Sequence, residues 1–201
     1  PGSNATEVIN QIDAYMAKAS KDFPKDLEMV VLSSSNDFLY ASINNVLRTL
    51  LEAIVLVILV VFIFLRDLRS TLIPLVATIV SLVGTFMFLY FLGFSINLLT
   101  LFALVLSIGV VVDDAIIVVE AVQSKFDAGY KSPYKATVDA MEGITSAIIT
   151  CTLVFMAVFI PTSFMGGTSG IFYTQFGITM AVAVAISALN ALTLSPALCA
   201  M

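Results

Sequence analysis

The sequence has no histidine at all, which removes imidazole from every candidate chemistry: neither a His-based metal centre nor a Ser-His triad can be built from these residues. Cysteine is almost as scarce. Cys151 and Cys199 both fall in apolar helical stretches, where a thiol behaves as a small hydrophobe, so the pair carries no message about redox compartment. Charge is short too. Asp, Glu, Lys and Arg make up 11% of the 201 residues against about 25% in soluble domains, while 60% are hydrophobic and the mean hydropathy is +1.06. A chain of this composition is a membrane protein. Its net charge of -5 says little about partners, because eight of the fourteen acidic residues lie outside residues 1–37; the charges mark topology, and nucleic acid is not an expected partner. A phosphate-cradling loop is also missing, since "GGTSG" at 166–170 lacks the lysine and the strand-to-helix setting that such a loop needs.

The first 32 residues differ from everything after them. Asn4 followed by Glu7 has the form of a capping box, and Val8, Ile9, Ile12, Tyr15, Met16 and Ala19 recur at helical spacing up to the stop at Phe23-Pro24, which predicts an amphipathic helix over 4–22. "LEMVVL" at 27–32 has the length and β-branching of a buried strand. One helix and one strand cannot bury a core, so residues 1–37 are expected to be a piece of a domain whose other parts lie elsewhere. The stretch has none of the regions of a signal peptide.

From Leu47 onward, five stretches are long enough to cross a hydrocarbon core, which takes about 20 helical residues. They fall near 48–65, 71–92, 97–121, 140–161 and 172–195. Between them stand "RDLR", "GFSIN", "SKFDAGYKSP" and "PTSFMGGTSG", and Ser132-Pro133 supplies a cap and a first-turn proline for a short lead-in to the fourth span. Arg66, Arg69, Lys125, Lys131 and Lys135 lie in or beside the first and third connections, whereas the second and fourth have no basic residue. By the positive-inside bias the first and third connections are cytoplasmic, the soluble start is on the far side and the C-terminus is inside.

"SIGVVVDDAIIVVE" places Asp113 and Asp114 within an apolar run. A carboxylate at membrane depth costs roughly 2.5 to 3.5 kcal/mol on insertion scales. Asp113 lies about 24 Å along the third span from Asn97, within the hydrocarbon and slightly to the cytoplasmic side of centre. At about 100° per residue, Thr100, Ala103, Ser107, Asp114 and Ala121 share a face, with Gly109 near Asp113. Small residues there let another helix approach, so the carboxylate pair is expected to point into a tight polar seam. Two adjacent carboxylates in a low dielectric do not both stay charged unless cations compensate. Apart from Arg48, the first residue of the first span, none of the five spans contains Lys or Arg, so the compensating cations must come from further helices.

The stretch "GFSINLLTLFALVLSIGVVVDDAIIVVEAV" resembles the Gly-x-x-x-Asp-Asp helix of the RND (resistance-nodulation-cell division) efflux pumps, in their hydrophobe/amphiphile multidrug branch. "FLRDLRSTLIP", "FIPTSFMGGTSGIFYTQF" and "LSPALCAM" are similar to other transmembrane segments of that family. The resemblance implies an all-α membrane fold: five transmembrane helices, the second to sixth of a six-helix repeat, at 38–201, after a short helix-plus-strand tail of a periplasmic porter domain at 1–37. It also implies a proton/substrate antiporter of the bacterial inner membrane, driven by the proton-motive force without a cofactor or metal. Asp113 and Asp114 would form the proton relay, with a lysine and an arginine from a second repeat as their alternating partners. Gly109 and Ser107 would support helix packing. A homotrimer, a periplasmic adaptor, an outer-membrane channel and amphiphilic small molecules are the implied partners, beside the lipid bilayer. Two positions depart from the family habit: Ala121 stands where asparagine is common, and Asn190 is an unusual amide in the last span, read as an interhelical hydrogen bond.

Other readings stay open at this point. Met87, Met156 and Met180 would suit a metal-exporting relative, but they sit on three helices without paired spacing and read as ordinary packing. A lipid exporter, or a non-transporting assembly or receptor protein of similar fold, would keep similar helices. An intramembrane aspartyl protease needs carboxyls that face each other, whereas Asp113 and Asp114 are neighbours on one helix. Glu120 reads as the solvated cytoplasmic end of its helix.

Overall fold

The computed structural model describes residues 5–24, 35–94 and 97–201. Among them the only regular elements are helices: α1 (Ala5–Ala19, with a 3-10 turn at Ser20–Asp22), α2 (Ser35–Leu65), α3 (Leu68–Phe91), α4 (Leu98–Asp127), α5 (Pro133–Thr162), α6 (Thr168–Leu192) and α7 (Leu194–Cys199). Asn4 and the expected strand at 27–32 lie outside the described residues. The chain divides into two units, residues 1–47 and 48–201. In the first, α1 is amphipathic as its spacing requires, and its apolar Val8, Ile12 and Tyr15 stand 41%, 54% and 72% exposed, so this face has no partner among the described residues.

The second unit is a bundle of helices long and apolar enough to span a bilayer, five in all when the C-terminal part of α2 is counted and α6 and α7 are taken together. Short connections force successive helices to run antiparallel. α4 and α6 form the centre: 56% and 50% of their most apolar windows are buried, against 6% for α5. Leu104, Ile108 and Val112 of α4 pack with Val61 of α2 and Leu82 of α3, while Val118 packs with Ile148 of α5 and with Ala188 and Ala191 of α6.

Small residues set the helix separations, because in lipid it is close van der Waals contact rather than hydrophobic exclusion that holds helices together. A Cβ on Gly177 of α6 would stand 2.8 Å from the carbonyl oxygen of Phe159 on α5, a distance that only hydrogen tolerates. A Cβ on Gly84 of α3 would likewise stand 3.2 Å from the Ile186 side chain of α6. The buried hydroxyls at these contacts satisfy themselves on their own helix: Thr78, Thr85, Thr152 and Thr179 each donate to the carbonyl four residues earlier at 2.7 or 2.8 Å.

Helix boundaries depart from the sequence expectations in several places, and α2 begins at Ser35, well before the expected 48. α4 runs to Asp127, past the expected end at 121, and places Lys125 in its last turn, where a cation suits the helix dipole. The last span is interrupted at Thr193 (φ -125, ψ -65), because Pro196 has no N–H for the carbonyl of Leu192 and its ring crowds that carbonyl. At α5, Pro133 opens the helix but the Ser132 side chain makes no cap hydrogen bond; only its backbone carbonyl accepts, from Ala136 at 3.0 Å. Arg66 and Asp67 alone join α2 to α3. Arg66 takes a left-handed φ of 52° to close α2, and Asp67 then caps α3 by accepting from the Ser70 N–H at 2.9 Å and the Ser70 hydroxyl at 2.8 Å. Those bonds, the backbone one first, hold the Asp67 carboxyl below the usual carboxylate range.

Candidate functional site

α4 enters the bundle from a fixed end. The Asn97 side chain accepts from the N–H groups of Leu99 and Thr100 at 2.9 and 3.1 Å, and Thr100 Oγ1 accepts from the Asn97 N–H at 2.9 Å, completing a capping box. The Asn97 amide also donates to Gln175 Oε1 of α6, tying the two helices together at this end. From there α4 presents two unlike faces to its surroundings.

One face is sealed. Thr100, Ala103, Ser107 and Asp114 are all buried against neighbouring helices, Asp114 at 7% exposure. The Asp114 carboxylate accepts from Ser187 Oγ of α6 at 2.7 Å, and the same hydroxyl lies 3.1 Å from the carbonyl oxygen of Val111, one turn back on α4. One turn further along α6, Asn190 donates to Ser81 Oγ of α3 at 2.7 Å and reaches the Ala77 carbonyl at 3.5 Å. The interhelical role expected for Asn190 is thus what the structure shows. Three helices are pinned around Asp114 by side chains of α6.

The other face is open. Asp113, one residue and about 100° further round, is exposed, on a stripe with Phe102, Leu106, Gly109, Ile117 and Glu120. The expected common seam for both aspartates is therefore divided: Asp114 points into α6 and Asp113 away from it. Gly109 shares the open side, and a Cβ built there would meet nothing within 4 Å among the described residues. Ser107 is fully buried, yet its hydroxyl is spent on the Leu104 carbonyl at 2.8 Å. Close contacts between helices are made by Gly84 against Ile186 and by Gly177 against Phe159, and at Asp114 itself by Ser187. Ser187 and Asn190 had a readable signal, two polar residues three apart in an apolar span; the glycines had none.

Neither aspartate has an ion-pair partner among the described residues, where the one salt bridge is the exposed Arg48–Glu52 pair at 2.8 Å within α2. Nor do the described residues gather three His, Cys, Asp or Glu side chains into a metal-binding group. Met87 faces outward at 58% exposure while Met180 is buried at 4%. Toward the end of α4 a cleft of ≈ 690 Å³ opens against the last turns of α2, lined by Val61, Phe64 and Leu65 on one side and by Glu120, Gln123 and Asp127 on the other. The connection after α4 is held by Tyr130, whose hydroxyl donates to Asp139 Oδ2 at 2.7 Å, a bond that raises the Tyr130 pKa.

Residues 1–201 match the AcrB/AcrD/AcrF family over their whole length. The chain is 44% identical over 199 residues to the multidrug export protein AcrF of Escherichia coli K12, covering 99% of this chain and 19% of that protein. It is 42% identical over 199 residues to the toluene efflux pump membrane transporter TtgE of Pseudomonas putida and 41% identical over 199 residues to the multidrug resistance protein MdtF of Escherichia coli K12, again covering 99% of this chain and 19% of each relative. The chain thus spans about a fifth of the length of these relatives, all of them efflux or multidrug-resistance proteins by name. With five bilayer-length helices and an aspartate pair on the central one, this multi-pass membrane chain belongs to the AcrB/AcrD/AcrF family of RND efflux transporters.

Proposed function

We propose that this chain is the aspartate-bearing part of a proton-driven exporter of drugs and other organic amphiphiles, in which Asp113 and Asp114 form the proton relay. The observation that carries the reading is the placement of the pair: two adjacent carboxylates deep in an apolar span, one sealed against α6 and the other on an open helix face, with no cation beside either among the described residues. A purely structural acid would be satisfied by its own bundle. Asp113 faces outward instead, toward the place where a second helical repeat carrying Lys and Arg would supply alternating partners. Protonation removes the need for those partners, and the packing between repeats shifts with it; that shift is how proton movement does work on the substrate pathway.

The relatives' names support drugs and solvents as cargo. The positive-inside bias supports an inner-membrane orientation with the N-terminal unit periplasmic and the C-terminus cytoplasmic. The complete transporter then works as a homotrimer with a periplasmic adaptor and an outer-membrane channel, uses the proton-motive force in place of a cofactor, and is a secondary transporter, not an enzyme.

The test is proton movement driven by cargo. The complete transporter, reconstituted in liposomes, should move protons inward against outward export when an amphiphilic dye is supplied, and a protonophore should uncouple the two. Dye transport that proceeds without any proton flux contradicts the reading.

A further inference from the structure

Ser187 has one hydroxyl hydrogen and two acceptors within reach, the Asp114 carboxylate at 2.7 Å and the Val111 carbonyl at 3.1 Å. A hydroxyl donates once but accepts through two lone pairs, and an ionised carboxylate can only accept. We infer that Ser187 is a positioning residue that reads the charge of Asp114, donating to the carboxylate when it is ionised and to the Val111 carbonyl when it is protonated. In the second state the new carboxylic O–H donates back to Ser187 Oγ, so the contact between α4 and α6 survives both states with its direction reversed. The proton gained by Asp114 comes from water and no other bond is made or broken; the serine hydrogen only rotates.

The surroundings favour a rotor over a moving helix. Ser187 is 2% exposed, and α6 is held against α3 one turn away by the Asn190–Ser81 bond of 2.7 Å. A helix pinned on both sides cannot follow each change of charge, whereas a hydroxyl torsion can. The ionisable groups on the packed elements are few. α6 carries only Tyr173, α7 only Cys199, and α3 only Arg69 and Tyr90. On α5, Tyr134, Lys135, Asp139 and Glu142 lie in the first turns and Cys151 is exposed; on residues 48–65 of α2, Arg48 pairs with Glu52. On α4 itself Asp113 is adjacent, Glu120 lies about 9 Å further along, and Lys125 and Asp127 sit in the last turn. Among the described residues Ser187 is thus the one side chain of another helix bonded to the Asp114 carboxylate.

This inference rests on the proton-relay reading, and its test separates the two. In the complete transporter, Asp114→Asn identifies the infrared carbonyl band of protonated Asp114 by its loss and tests the relay itself. Ser187→Ala should then shift that band, because the acid loses its acceptor, and lower efflux per folded transporter by about tenfold, the scale of one hydrogen bond to a charged group. Ser187→Thr, which keeps the hydroxyl, should restore the band, and Ser187→Cys, near-isosteric but a poor acceptor, should not. An unshifted band in Ser187→Ala overturns the inference, whatever happens to efflux. A shifted band with full efflux also overturns it, since the bond would then exist without serving transport. If instead Asp114→Asn transports normally, it is the relay reading that fails.

Discussion

The two sides of α4 have opposite surroundings. Toward α6 the helix shows hydroxyls, alanine and one carboxylate, all buried, with the hydroxyls satisfied and Asp114 bonded to Ser187. Away from α6 it shows Phe102, Leu106, Gly109, Asp113 and Ile117, all exposed. The first side is a packed interface, and the second exposes a carboxylate among apolar side chains. A carboxylate on a lipid-facing helix surface is costly at this depth, and that cost is what the proposed relay, with its partners on further helices, would offset.

Glycines test this contrast most strongly. Gly177→Ala drives a methyl into the Phe159 carbonyl, and should destabilise the bundle by about 1–3 kcal/mol in an unfolding measurement in detergent or bicelles. Gly109→Ala meets nothing within 4 Å among the described residues and should stabilise the isolated 201 residues by roughly 0.5–1 kcal/mol, the helix preference for alanine. In the complete transporter the same substitution should impair efflux if another helix covers that side closely. Equal effects of the two substitutions on the isolated chain would erase the distinction between a packed and an open helix surface.

How much of this the sequence discloses depends on whether a property is local or shared between helices. Length and hydropathy carry the five spans, because each alone must satisfy its backbone inside a bilayer. The 100° projection places Thr100, Ala103, Ser107 and Asp114 on one face, and all four are buried. The same projection separates Asp113 from that face, yet an expectation of one common seam overlooks the separation. Gly109 and Gly177 look alike in sequence, each a lone glycine among apolar residues, and only the position of the neighbouring backbone distinguishes an open site from a clash. Ser132 fails as a side-chain cap for a similar reason: residue type makes a cap available, and the loop geometry decides whether its hydroxyl reaches the helix.

A smaller effect should come from the pin between α6 and α3. Asn190→Ala removes the bond to Ser81 and should cost about 1 kcal/mol, since interhelical hydrogen bonds in membranes are modest. Ser81→Ala should cost about as much, and the double variant no more than either, if the two side chains serve only each other.

The smallest effect lies outside the membrane, at the α2–α3 turn. Asp67→Ala should cost about 1 kcal/mol or less, the worth of an exposed N-cap. Because the folded carboxyl is held below its ordinary range, the cap's contribution is complete above the unfolded value and is lost as pH falls through the lower folded one. Wild type and Asp67→Ala should therefore differ in stability at neutral pH and converge in strong acid; a difference that persists unchanged into strong acid would mean that the charge of Asp67 is not what caps α3.

Efflux per folded pump, measured in the complete transporter for wild type, Asp113→Asn, Asp114→Asn and the double variant, addresses the relay most directly. Asparagine keeps the shape and removes reversible charging, so abundance should hold while both single variants lose nearly all efflux. The double should be little worse than either, because groups acting as one unit fail together. Near-normal efflux by either single variant would contradict the assignment of Asp113 and Asp114 as a proton relay.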